Sequence, residues 1–136
     1  MTFISQTSQF TSTPDLVLVN VPCDPSVLIG DWVRMDLLGV AYQALADNIN
    51  NSNVIGLVEF KSTSTLCNIR VLGVSEPLFV GLDPTKEYFL SNVVAGGMII
   101  QGPTVPSAPG EVLLKVGQPF SSTRILVLKG QRIQRS

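Results

Sequence analysis

No stretch of this chain keeps a helical repeat for more than a turn or two: its apolar residues come in short runs, and turn residues bound them. An isolated helix needs several turns of 3.6-residue periodicity to persist, so runs this short belong to strands. The pattern is plainest between Gly81 and Gly117. There the turn Gly81-Leu82-Asp83-Pro84-Thr85 leads into Lys86 to Ser91, then Met98 to Gln101, and, past a Pro-rich loop, Glu111 to Val116. Two or three strands alone bury too little apolar surface to be stable, so the rest of the chain must supply the strands this meander packs on.

Those strands are readable from their punctuation. Leu16 to Val21 is a β-branched run closed by Pro22 and Pro25. Gly30 to Asp36 follows, with Trp32, Arg34 and Asp36 on one face and Asp31, Val33 and Met35 on the other, an alternation that leaves its core face undecided. Val40 to Ala46 is too short for a free-standing helix and reads as a strand. In Val54 to Phe60, Gly56 marks a bulge or a close backbone approach. Cys67, Ile69 and Val71 share an inward face while Asn68 and Arg70 face the other way. Val74 to Val80 continues the sheet, with Pro77 placing it at an edge or a bulge. In the last third, Val112, Leu114 and Val116 point inward with Lys115 outward, and the run Ile125 to Leu128 suits burial on both faces. Asn48 to Asn53 and Gly102 to Gly110 read as exposed loops. The expected fold is all-β: a small barrel or sandwich of about ten short antiparallel strands over residues 15–136, preceded by an extended arm at residues 1–14.

Charge bears on partners. The chain is 45% hydrophobic and 14% charged, against about 25% charged in an ordinary soluble domain, which points to surface that meets protein. A net charge of -1 gives no electrostatic reason to expect nucleic acid, and no apolar run approaches the ~18 residues of a membrane helix. Met1 to Gln6 lacks the basic and apolar regions of a signal peptide, so the protein is expected to stay where it is made. Residues 1–14 carry no charge and hold Phe3, Ile4 and Phe10 as isolated apolar anchors, suited to an arm that pairs with a neighbouring subunit. Lys129, Arg132 and Arg135 crowd the C-terminal end, where they read as a solvated tail or as a basic strap for an acidic neighbour.

Little in the sequence suggests catalysis. Histidine is absent, and with it the commonest general base and metal ligand. Neither Gly-x-Ser-x-Gly nor Ser-x-x-Lys occurs. The carboxylate pairs Asp31 with Asp36 and Glu76 with Asp83 are not selected by their spacing, and Gly96-Gly97 precedes a strand, as a hairpin turn does and a phosphate loop does not. Cys23 and Cys67 are too few and too far apart for a disulfide framework or a zinc site; both read as buried small hydrophobes, Cys67 reduced and Cys23 not its disulfide partner. Trp32 is the aromatic best suited to a ligand platform. No catalytic residue, cofactor or metal is expected.

Four phrases carry a resemblance: Gly30-Asp31-Trp32-Val33 opening a strand, Ala44-Leu45-Ala46-Asp47 before Val54 to Val58, Gly81-Leu82-Asp83-Pro84 before Tyr88 to Ser91, and Val116-Gly117-Gln118-Pro119-Phe120 before a last apolar strand. In this order they resemble small β domains of tailed-bacteriophage virion proteins, of the head decoration (cement) and fibre-module type. The resemblance implies a non-enzymatic homotrimer on the capsid surface, made in the host cytoplasm, that binds the major capsid protein or another virion protein and stabilises the head shell. The alternatives are a tail fibre, baseplate or tail-adapter component, and a carbohydrate-binding module whose ligand would quench Trp32.

Overall fold

The computed structural model describes residues 15–136, and the arm expected at residues 1–14, with Phe3, Ile4 and Phe10, lies outside the described residues. The rest is all-β. In chain order the strands are β1 (Leu16–Pro22), β2 (Trp32–Met35), β3 (Ala41–Gln43), β4 (Val54–Thr63), β5 (Leu66–Val74), β6 (Tyr88–Leu90), β7 (Met98–Ile100), β8 (Val112–Leu113), β9 (Lys115–Pro119), β10 (Ile125–Val127) and β11 (Ile133–Gln134). Nine of them form one antiparallel sheet that curls into a half-barrel, in the order β3-β2-β4-β5-β10-β9-β6-β7, with β1 added along β5. The remaining two, β8 and β11, pair with each other, Ile133 opposite Leu113 and Gln134 opposite Val112.

The sheet carries apolar packing on both faces. Trp32, Leu57, Leu90, Val112, Leu114, Val116, Ile125 and Val127 belong to the larger cluster. Cys23, Val27, Val33, Ala41, Val58, Cys67 and Ile69 form the second. Adjacent residues Trp32 and Val33, and likewise Leu57 and Val58, send their side chains to different clusters, as the two-residue period of a strand requires. This resolves the ambiguity of the Gly30 to Asp36 segment: neither face of β2 is the solvent face.

The long hairpin of β4 and β5 is the centre of the sheet. On its far edge β5 takes β1, with Leu16 opposite Leu72 and Val21 opposite Cys67, and beyond that β10, with Leu126 opposite Val74. The outward face of β5 places Arg70 against Glu59 on β4, Nε to Oε2 at 2.6 Å, and against Asp15 at the root of β1. Glu59 also accepts the Glu76 N–H at 2.9 Å. With Arg70 only 8% exposed, burial opposes its charge, yet the Glu59 hydrogen bond and the Glu59, Asp15 and Glu76 charges hold its pKa above the ordinary value.

The inward placement of Cys67 and Ile69, with Val71 packed against the same cluster, follows the alternation in the sequence. So does that of Val112, Leu114 and Val116, while Lys115 turns outward to Glu87 at 2.7 Å. Other expectations change. Val74 to Val80 is not a strand: β5 stops at Val74, and the chain from Ser75 onward holds to the neighbouring hairpin by separate bonds, Ser75 N–H to Ile125 O and Phe79 N–H to Thr123 O, on either side of Pro77, which has no N–H to give. Ile125 and Val127 are buried, but Leu126 is half-buried and Leu128 exposed, so the last apolar run covers one face only. Val40 to Ala46 contributes three strand residues, after which Ala44 and Ala46 enter the core as irregular backbone.

Candidate protein-contact surface

Charged side chains rarely project as free groups here, because most are committed to turns and carbonyls of the same chain. Asp31 accepts the Leu28 N–H and the Gln43 side-chain amide, both at 2.8 Å. Asp36 accepts the Leu38 and Val40 N–H groups, both at 2.9 Å. Asp24 and Asp83 each close an Asx turn, on Ser26 and Thr85, and the hydroxyl and N–H of those residues hold both carboxyls below the ordinary aspartate pKa. Glu111 accepts from the Asn92 side chain at 2.7 Å and from the Ala108 and Ser107 N–H groups at 2.9 and 3.1 Å, which lowers its pKa likewise. Neither carboxylate pair considered from sequence is an acid and base facing a shared space: Asp31 and Asp36 brace opposite ends of β2, and Asp83 holds its own turn.

The basic residues near the C-terminus are bound into the fold in the same way. Arg132 donates to Ile49 O at 2.7 Å, Arg135 to Pro106 O at 3.1 Å and Lys129 to Val54 O at 3.1 Å. Arg132 and Arg135 are half-buried, and they tie the Asn-rich and Pro-rich loops to the β8 and β11 pair. Phe3, Ile4 and Phe10 lie outside the described residues. Trp32 is 1% exposed and packed in the larger cluster, which removes the aromatic platform expected of it. Among the described residues there is no group of three metal-ligating side chains and no pocket.

What does project is apolar. Leu37 is fully exposed and Leu38 87% exposed at the tip of the β2–β3 hairpin, where Asp36 caps the turn and Gly39 takes a φ of 78°. At the other end of β2, two loops meet: Trp32 N–H donates to Gly96 O at 2.9 Å, and Gly96, at φ 77°, passes so close to Asp31 that a Cβ would lie 2.6 Å from its carboxyl carbon. One loop exposes Leu28 and Ile29, the other Val93 and Val94. A third site joins the β9–β10 turn to the segment before β6 through Phe79 N–H to Thr123 O and Leu82 N–H to Ser122 O; it exposes Phe120 and, at 95%, Val80. Along β1, the outer edge has no strand partner among the described residues, and Leu16 and Val19 are exposed there.

Sequence reasoning did not single out these loop residues. The signal was present in Asp36-Leu37-Leu38-Gly39, where a turn framed by Asp and Gly carries two leucines in place of the usual polar residues. No protein-family model, curated protein or solved structure matches this chain.

Proposed function

We propose that this protein is a non-enzymatic structural component that binds other protein surfaces through its apolar loop tips, and that its setting is a tailed-bacteriophage virion, where it decorates and stabilises the head shell. The observation that carries the reading is the clustering of exposed aliphatic and aromatic side chains on braced turns at both ends of β2 and at the Val80 and Phe120 site. Burying each such side chain against a partner is worth on the order of 1.5–3 kcal/mol, and a turn already held by its own hydrogen bonds loses little entropy on docking. Carboxylates and arginines engaged in turn capping support a scaffold role. The phage setting rests on the four sequence phrases alone.

A trimer that presents these tips to the major capsid protein accounts for the low charge content. A sugar-binding role loses its main support with Trp32 in the core. The test is quantitative mass spectrometry of purified particles of the encoding virus. Many copies, in fixed ratio to the major capsid protein, are expected of a decoration protein. A few copies per particle point instead to a fibre, baseplate or adapter component, and absence from particles overturns the virion reading.

A further inference from the structure

We propose that Cys23 and Cys67 are a latent intramolecular disulfide pair, which on oxidation staples the end of β1 to β5. Although more than forty positions separate them, the fold makes them neighbours. Val21 lies opposite Cys67 in the β1–β5 ladder, and two residues on, Cys23 N–H donates to Thr65 O at 2.9 Å, so the two cysteines are diagonal neighbours on one face of the pair. Their side chains are both buried in the smaller apolar cluster. No other cysteine exists to compete.

Burial and the Cys23 thiol push the Cys67 thiol up to about 12, partly offset by the Lys61 ammonium, whose Nζ donates to Val27 O at 2.6 Å. Thiolate is the reacting form, so exchange in the closed state is slow and requires opening of the short turn that follows β1. With a low-molecular-weight disulfide such as oxidised glutathione, one cysteine thiolate attacks the reagent's S–S bond and expels one glutathione thiolate. The second cysteine thiolate then attacks the mixed disulfide, forms the protein S–S bond and expels the other glutathione. Two protein thiols lose two electrons and two protons, and one glutathione disulfide becomes two glutathiones. Closing a loop of about 45 residues restricts the unfolded chain, and for a domain this size the expected gain is of the order of 10 °C in melting temperature.

The test uses the full chain, incubated with oxidised glutathione in mildly alkaline, sub-denaturing urea and then returned to buffer. The expected result is a Cys23–Cys67 link in an unreduced, thiol-blocked peptide map, an intact mass lower by two hydrogens, and a melting temperature raised by roughly 10 °C that reverts with dithiothreitol. Cys23→Ala and Cys67→Ala should each abolish the mass change, a readout that does not depend on how well either variant folds. Two free thiols after this treatment, a link between two chains, or a link that leaves the melting temperature unchanged or lower would overturn the proposal.

Discussion

Gly56 owes its place on β4 to the strand beside it. A Cβ there would run into the Arg70 carbonyl oxygen and lie 2.8 Å from Ile69 Cγ2, so Gly56→Ala forces β4 and β5 apart at the centre of the sheet. It should cost about 1–3 kcal/mol, read as a lower urea midpoint at unchanged slope. The sequence announced this close approach, because a glycine inside a β-branched run has few other uses. It also announced the inward turn of Cys67. It did not announce that Cys23 lies beside Cys67, or that Arg70 pairs with Glu59 and Asp15, because pairings across distant strands leave no mark on local alternation. Glu111 was equally silent, although its three hydrogen bonds hold a loop. Its folded pKa is depressed, so its contribution is complete above the ordinary glutamate value and is lost as pH falls through the lowered one. Glu111→Gln should therefore lower stability at neutral pH and flatten the loss of melting temperature between about pH 5 and pH 3. An acid limb as steep as the parent's would remove Glu111 from that account.

At the scale of elements, strand existence was more legible than strand role. The β-branched runs and their Pro, Gly and Asn boundaries located β1, β4, β5, β6 and β7 well. The face of β2 was undecidable because both of its faces are buried, and the run through Val80 failed as a strand because Pro77 has no N–H to give and Ser75 and Phe79 on either side bond singly to the next hairpin. The β2–β3 tip is the element most open to test. Leu37 and Leu38 support no core cluster, so replacing both with Ser should change stability by no more than about 0.5 kcal/mol per site. On the proposed reading the tip faces the shell, so the same change should leave the sedimentation equilibrium profile of the free protein as in the parent. A change in association state would instead make the tip a contact between copies.

For the whole molecule, the spacing of strands and turns was enough to predict an all-β barrel or sandwich of about ten strands, and the sheet does curl as a half-barrel. It was not enough to predict apolar packing on both faces. Register shifts interrupt the β1–β5, β2–β4 and β4–β5 ladders, and such local irregularities leave little mark on the strand-and-turn pattern of a sequence. The architecture leaves apolar tips on loops and internal uses for most charges, and in the proposed function those tips hold the protein to a shell. For the proposed phage setting, the direct measurement is a titration of purified protein onto phage head shells that lack it, with bound and free protein separated by sedimentation. The expected result is saturable binding at a stoichiometry fixed by the shell lattice, weakened by the Leu37 and Leu38 substitutions. Binding no greater than that of an unrelated β protein of similar size would contradict it.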